Sequence, residues 1–149
     1  MDPIEQEVGQ CLAALGTMHG GAQSPEQFQL AQVFLVEFQK KRSAWNVCDH
    51  ILRRDGLDVK AYFFATTTLR EKVMTRFFEE ISTPESRVAF RNSLMQHLLK
   101  FKDSEATLVR SIALSIADIA VLMTGSGEWP TSLHDLTSHL HRDETALIL

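Results

Sequence analysis

Helix-start signals recur along the 149 residues of this chain, and they constrain its fold more than any other feature. Ser24 and Thr83 each stand directly before a proline and a glutamate, which is the order of an N-cap hydroxyl, a first-turn proline and a first-turn acid. Gln27, three residues after Ser24, completes a capping box. Further N-cap candidates are Asp103 or Ser104 for one helix and Thr131 for the next. Since strand-like alternation of apolar and polar residues is hard to find, the sequence predicts an all-α fold.

The spacing of these signals, and of the apolar residues between them, predicts seven helices. Breaks rich in Gly, Asp or Ser separate them, and the connections are mostly short, so consecutive helices are expected to pack antiparallel. The predicted helices cover about residues 3–15, 25–41, 44–54, 58–80, 84–101, 105–124 and 131–141, and an eighth begins near Asp143.

Alternate helices begin at a nearly constant spacing, near residues 3, 44, 84 and 131, and about 40 to 47 residues is the period of two-helix HEAT-type repeats. A plain helical bundle would also show paired helices. We expect a HEAT-like solenoid of antiparallel helix pairs, with about three and a half repeats in a right-handed superhelical array. The repeats are expected to form one region over residues 1–149, with helix pairs at about 3–41, 44–80 and 84–124 and an incomplete pair from 131.

The sequence finishes on the apolar run Ala146 to Leu149, where a solenoid needs a polar capping repeat. An uncovered run of this kind suggests that the chain is truncated at its C-terminus. We therefore expect it to be the front of a longer repeat array.

Two of the predicted helices carry distinctive patterns. The 58–80 helix has a broad apolar face, and Phe64 projects near the opposite, polar face. That polar face is predicted to carry Lys60, Thr68, Glu71, Lys72, Thr75 and Glu79. The 105–124 helix is apolar around almost its whole circumference, which indicates burial between several neighbours.

Charge and hydropathy exclude several classes of partner. The formal net charge of −4 does not provide the concentrated basic face that phosphate backbones require, so we expect no direct nucleic-acid binding. The most apolar stretch, Ile112 to Met123, is shorter than the ~20 residues of a membrane span and contains Asp118, so we expect no membrane insertion.

Residues that could carry chemistry do not combine into a site. Asp118 has no second carboxylate, nucleophile or Gly-rich loop beside it. His134, His139 and His141 are spaced so that a helix scatters them around its axis, whereas zinc ligands on a helix share one face. We therefore expect no catalytic site, no metal site, no cofactor and no enzymatic activity.

An ordered run of apolar and aromatic positions fills the middle of the chain. It reads "AQVFLVEFQKKRSAWNVCDHIL" and then "DVKAYFFATTTLREKV". Its characteristic positions are Ala31, Leu35, Phe38, Trp45, Ile51, Leu52, Tyr62, Phe63, Ala65, Leu69, Lys72 and Val73. This run resembles the N-terminal module of the importin-β superfamily (karyopherins) of nuclear transport receptors, and the likeness covers nearly the whole chain, most weakly at its start.

Within that superfamily the sequence most resembles transportin-SR, the import receptor for serine/arginine-rich splicing factors. The features behind this likeness are "YFFATTTLREKV", "RNSLMQHLLKFKD" and "IALSIADIAVLM". The segment "ATTTLRE" departs from the family, because small threonines and Arg70-Glu71 replace more basic or amide residues.

The resemblance implies a receptor that carries protein cargo into the nucleus and shuttles between cytoplasm and nucleus. Its N-terminal repeats would bind the small GTPase Ran in its GTP form, through the second helix of each pair. Cargo, with serine/arginine-rich splicing factors as the suggested class, would bind mainly to C-terminal repeats that this chain lacks. Phe-Gly repeats of nucleoporins would contact slots between the outer helices.

Candidate site residues follow from the faces of the helices together with the resemblance. The candidate contacts to the small GTPase are Phe64, Thr68, Glu71 and Lys72, because they share the polar face of the 58–80 helix. Trp45, Phe63 and Asp118 are predicted to be structural: Trp45 and Phe63 by packing between repeats, and Asp118 through hydrogen bonds or charge pairs to a neighbouring repeat. Two alternatives stay open, a stand-alone helical scaffold or adaptor and an exportin-type receptor fragment.

Overall fold

The computed structural model describes residues 2–131, 134 and 135, and within that part of the chain all regular structure is helical. The helices are α1 (Pro3–Gly16), α2 (Pro25–Gln39), α3 (Ala44–Arg53), α4 (Val59–Glu80), α5 (Pro84–Phe101) and α6 (Ala106–Gly125). The predicted all-α fold of HEAT-like helix pairs is confirmed. The predicted helix over 131–141 and the one beginning near Asp143 lie largely outside the described residues.

Two of the predicted N-caps are confirmed by their hydrogen bonds. The Ser24 hydroxyl accepts a hydrogen bond from the backbone N–H of Gln27 at 3.2 Å, and the Thr83 hydroxyl accepts one from the N–H of Ser86 at 3.1 Å. The Gln27 side chain reaches back to the N–H of Gln23 at 2.8 Å, one residue before the cap. These bonds satisfy amides that the first helical turn leaves unpaired.

The predicted cap at Asp103 or Ser104 is wrong. Glu105 is the N-cap of α6, and its side chain makes no capping hydrogen bond. The backbone N–H of Ser104 instead donates to the carbonyl of Phe101 at 2.9 Å, so Ser104 belongs to the turn that ends α5. In the short connection between α5 and α6, Ser104 therefore ends the first helix, and Glu105 begins the second.

A short π-helical turn, Thr17–Gly21, follows α1 where the sequence predicts only a break. His19 and Gly20 leave helical geometry within it, and Gly20 has a φ of +119°, which L side chains rarely adopt. The glycine therefore lets the chain turn from α1 toward α2 while Met18 and His19 stay in a compact turn. Met18 and His19 of this turn also line a groove in unit 1.

The chain divides into two compact units, and the division falls inside α4. Unit 1 is Met1–Leu69, in which α1 packs against both α2 and α3. The Tyr62 hydroxyl donates to the carbonyl of Arg54 at 2.6 Å and accepts from the N–H of Leu57 at 3.2 Å, which fastens the connection before α4. The apolar core of unit 1 consists of Val8, Cys11, Leu15, Ala31, Leu35, Phe38, Ala44, Trp45, Val47, Cys48, Ile51, Leu52, Ala61, Tyr62, Ala65 and Leu69.

Unit 2 is Arg70–Leu149, and its main packing is α5 against α6. Its core consists of Val73, Phe77, Ile81, Leu94, Met95, Leu98, Phe101, Leu108, Val109, Ile112, Ile116, Ile119, Met123 and Trp129. Helix α6 is long and apolar enough to cross a membrane, a test that core helices also pass. Within the described residues only one side of α6 is buried, and Val121 is 73% exposed, so the predicted burial all around this helix is not observed.

Candidate partner-binding site

Two of the four candidate GTPase contacts lie in the interior. Thr68 is 1% exposed and Lys72 is 5% exposed, so the prediction that they share an open polar face with Glu71 is wrong. The reason is a second buried stripe on α4, which passes through Ala61, Ala65, Thr68 and Lys72. The polar members of the stripe have partners. Their role in binding a GTPase stays a prediction.

The partners of these two polar side chains explain how they are tolerated. The amide nitrogen of Gln39 on α2 donates to the Thr68 hydroxyl at 2.8 Å. The Lys72 ammonium lies 2.8 Å from a carboxylate oxygen of Glu80, two turns further along α4. A buried charge is costly unless it is paired, so the carboxylate of Glu80 stabilises Lys72 in the interior.

The aromatic pair Phe63 and Phe64 is only partly buried. The Phe64 ring lies 6.0 Å from the Phe38 ring of α2, with 30° between the ring planes. Phe63, predicted to pack between repeats, retains an accessible surface in unit 1. Trp45, in contrast, is buried, and its predicted packing between repeats stays a prediction.

A groove of about 410 Å³ opens in unit 1 beside these two phenylalanines. Helix α2 contributes positions 32, 35, 36 and 39, and α4 contributes positions 60, 63, 64 and 67. Both sets follow the spacing i, i+3, i+4, i+7, so each helix presents a single stripe to the groove. The end of α1 and the Thr17–Gly21 turn supply the rest of the wall, through Leu15, Met18 and His19.

Contacts between α2 and α4 lie toward the C-terminal end of these stripes. They include the Phe38–Phe64 ring contact and the hydrogen bond from Gln39 to Thr68. The Phe64 and Gln39 side chains also line the groove. Sequence reasoning placed Phe64 at an accessible surface but did not find the groove.

The ionisable side chains that line the groove are His19 and Lys60. Asp58 lies close by, but its carboxylate accepts the backbone N–H of Lys60 at 2.9 Å. Among the described residues no carboxylate forms an ion pair with the Lys60 ammonium, which is exposed at the first turn of α4. The groove therefore combines apolar walls with a polar rim in which Lys60, His19 and the nearby Asp58 lie together.

In unit 2, Asp118 lies opposite Arg70, with a carboxylate oxygen 3.9 Å from the guanidinium Nε. Neither of these two atoms has a hydrogen-bond partner among the described residues. The Arg70–Asp118 contact joins α4 to α6 and fits the structural role predicted for Asp118, which stays a prediction. Glu71, the next residue on α4, is exposed.

A cluster in unit 2 was missed by sequence reasoning. The Arg87 guanidinium on α5 donates to both carboxylate oxygens of Glu128, and also to the Ile81 carbonyl at 2.7 Å. These hydrogen bonds hold the pKa of Glu128 below its ordinary value and raise the pKa of Arg87. The partners are 41 residues apart in the sequence, so no local pattern points to the pair.

Next to this pair, Trp129 is buried and its ring contacts the guanidinium of a second arginine, Arg91. The Arg91 guanidinium lies 4.5 Å from the centre of the Trp129 ring. The indole N–H donates to the Asp135 carboxylate at 2.7 Å, which lowers the pKa of Asp135. These contacts fix the segment after α6 against α5.

Residues suited to covalent or metal chemistry are few in the described part of the chain. Its histidines, cysteines and acids form no group of three that could hold a metal ion. Cys11 and Cys48 are both buried, and burial is the main cause that raises the pKa of the Cys11 thiol to about 12. A thiol of this kind is a packing residue rather than a nucleophile.

Comparison with known proteins gives one family and two informative relatives. Residues 31–100 match the Importin-beta N-terminal domain. The chain is 38% identical over 125 residues to an uncharacterised protein of Schizosaccharomyces pombe, which covers 84% of this chain and 12% of that protein. It is 33% identical over 91 residues to Transportin MOS14 of Arabidopsis thaliana, which covers 61% of this chain and 9% of that protein.

The matches support the importin-β superfamily for this chain, and members of that superfamily are transport receptors. The chain spans about a tenth of the length of these two relatives. The closer likeness to transportin-SR stays a prediction.

Proposed function

We propose that this chain is the N-terminal, GTPase-binding part of a nucleocytoplasmic transport receptor and has no enzymatic activity. The observation that carries the proposal is the match of residues 31–100 to the Importin-beta N-terminal domain, on a chain of HEAT-like helix pairs. The partner is the small GTPase Ran in its GTP form. The whole receptor carries protein cargo into the nucleus and shuttles between the two compartments.

The accessible side chains of α4 are the best candidates for Ran contacts. Phe64 presents part of an aromatic ring, a type of side chain that often dominates binding energy, and Glu71 is exposed. Thr68 and Lys72 are buried and would act by holding surface side chains in place. Thr68 accepts a hydrogen bond from Gln39, and Lys72 pairs with Glu80. Their substitution would therefore affect binding through the shape of the helix surface.

The remaining partners belong to the complete receptor. Cargo, with serine/arginine-rich splicing factors as the suggested class, binds mainly to repeats beyond this chain. Nucleoporin Phe-Gly repeats bind between outer helices and carry the receptor through the pore. The departure from the family in "ATTTLRE" makes the residue assignment on α4 the part of the proposal to test first.

The deciding experiment measures binding of the full chain to immobilised Ran loaded with GTP or with GDP, by biolayer interferometry. We expect clear preference for the GTP form, and Phe64→Ala should weaken binding by about tenfold, as for an aromatic contact at an interface. Leu99→Ala is the matched control, because Leu99 is an exposed apolar residue on α5 that the proposal does not use.

Equal binding to both nucleotide forms, or no binding, would contradict the transport function and favour the scaffold or adaptor. Unchanged affinity of Phe64→Ala for the GTP form would leave the function standing and overturn the assignment of Phe64. The direction of transport can be tested with the complete receptor, since Ran-GTP releases cargo from an importin and retains it on an exportin.

A further inference from the structure

We propose that Ser43, in the connection between α2 and α3, is a phosphorylation site for a protein kinase that selects basic substrates, and that its phosphate loosens α1 from α3. The inference rests on the charges before Ser43 and on the hydrogen bond that its hydroxyl makes. It does not depend on the proposed transport function.

Three consecutive cations precede Ser43. Lys40, Lys41 and Arg42 are all exposed, and they occupy the third, second and first positions before the serine. Kinases of this class recognise their substrates by matching substrate cations with carboxylates, and cations two and three residues before the acceptor hydroxyl meet that requirement. The run therefore provides the charge pattern that such a kinase recognises.

The connection that carries Ser43 is a turn between two helices, and Ser43 itself is half-buried. The backbone N–H groups of Ala44 and Trp45 donate to carbonyls of this turn at 3.2 and 3.3 Å, at the long end of the range for such bonds. Because a kinase binds its substrate in an extended form, the turn has to open. Connections and helix ends open at a low free-energy cost compared with core helices.

The Ser43 hydroxyl has its partner on another helix. It donates a hydrogen bond to a carboxylate oxygen of Glu7 on α1, at 3.0 Å. The next residue after each partner, Val8 on α1 and Ala44 on α3, is 0% exposed. The Ser43–Glu7 bond thus lies at the edge of the packing between α1 and α3, and it is a polar contact that joins the two helices.

Phosphorylation would remove this contact. The γ-phosphoryl group of ATP is transferred to Oγ of Ser43, its bond to the departing ADP breaks, and the hydroxyl proton passes to the catalytic base of the kinase. The esterified Oγ has no proton to donate, and a group with roughly two negative charges then lies beside the Glu7 carboxylate. Lys41 and Arg42 are exposed, so their attraction offsets only a small part of the repulsion.

The first experiment treats the full chain with the catalytic subunit of cAMP-dependent protein kinase, which selects basic substrates, in the presence of Mg²⁺ and ATP. Tandem mass spectrometry locates the phosphate, and we expect it on Ser43. Ser104 is the matched control within the chain. It also lies in a connection between two helices and is exposed, but Asp103 and Glu105 flank it.

The combined substitutions Lys40→Gln and Lys41→Gln should slow phosphorylation of Ser43 by about tenfold, because they remove the cations that the kinase recognises. Both side chains are exposed, so the core of unit 1 is unchanged. The assignment would be overturned by absence of phosphate on Ser43 in the folded chain, by equal phosphorylation of Ser104, or by an unchanged rate in the double variant.

The second experiment measures amide hydrogen exchange in α1 by mass spectrometry, with and without the phosphate. We expect exchange in α1 to rise by about fivefold, as for the loss of one hydrogen bond, while exchange in α5 stays unchanged. In Glu7→Gln the phosphate has no carboxylate to repel, so the acceleration should be smaller than in the parent. Ser43→Ala removes the hydrogen bond without adding charge and should accelerate exchange less than the phosphate does.

Equal acceleration in the parent and in Glu7→Gln would show that repulsion from Glu7 is not the cause, and no acceleration in α1 would show that the phosphate does not loosen the helix. Either result would overturn the inference. None of these measurements involves Ran, so their outcome is independent of the test of the proposed function.

Discussion

The two units of the chain are stabilised in different ways. Unit 2 buries ion pairs: the side chains of Arg87 and Glu128 are 8% and 18% exposed. Among the described residues of unit 1 the ion pairs are more exposed, as in the pair of Arg54 and Glu5, and the interior is held by apolar packing. Unit 1 also contains the groove of about 410 Å³. The comparison teaches that helix pairs of one chain can be stabilised by buried ion pairs in one unit and leave an apolar groove accessible in the other.

The largest expected effect comes from removing a partner of the buried ion pair. Arg87→Ala leaves the Glu128 carboxylate and the Ile81 carbonyl without their donor, and we expect a loss of about 3 kcal/mol in the free energy of unfolding of unit 2. Urea unfolding followed by the fluorescence of Trp129, in a Trp45→Phe background, reports on this unit.

The matched control for unit 1 is Arg54→Ala, which removes an exposed pair and should cost no more than about 1 kcal/mol. Trp45 fluorescence in a Trp129→Phe background follows that unit. Similar losses for the two arginine substitutions would show that the contrast between the units is wrong.

A smaller loss in the stability of unit 2 is expected when the pH is lowered. Because Arg87 holds the folded-state pKa of Glu128 below its ordinary value of 4.5, the unfolded chain binds more protons there as the pH falls. The contribution of Glu128 is therefore complete above about pH 4.5 and is lost as the pH falls through the depressed folded-state value. Urea midpoints of unit 2 between pH 6 and about pH 3 should decline more in the parent than in Glu128→Gln.

The parent and Glu128→Gln should thus converge toward low pH. Parallel pH dependence of the two proteins would mean that Glu128 does not supply the acid sensitivity of unit 2.

The smallest loss of stability is expected from removing an N-cap hydroxyl, and this loss should be the same in both units. Ser24→Ala and Thr83→Ala each remove an N-cap hydrogen bond, from α2 in unit 1 and from α5 in unit 2, and each should cost about 1 kcal/mol. The measurement is the urea midpoint of the corresponding unit. A loss at one cap more than twice the loss at the other would show that local capping also differs between the units.

Features encoded by neighbouring residues could be predicted from the sequence. Six helices with bounds within a few residues of the observed ones, and the caps at Ser24 and Thr83, depend on interactions within one turn. The failed cap at Asp103 or Ser104 shows the limit of such reasoning. Several polar residues in a row can each begin a helix, and the turn geometry decides which one does.

Features that depend on the distance between helices could not be predicted. Periodicity assigned Thr68 and Lys72 to a polar face, yet Gln39 and Glu80 pair with them in the interior. The groove is lined by side chains of α2 and α4, and the faces of two helices that come together depend on tertiary packing. Neither the separation of two helices nor a contact such as Arg87–Glu128 leaves a periodic signal.

Both cysteines of the chain, Cys11 and Cys48, lie buried in unit 1. The rate at which a reagent labels these thiols can therefore report how often unit 1 opens. Burial raises the pKa of the Cys11 thiol to about 12, which disfavours the thiolate, and a disulfide reagent reacts with the thiolate. Labelling must therefore wait for unit 1 to open, as amide hydrogen exchange does. The rate of labelling then measures the opening of unit 1 in the intact chain.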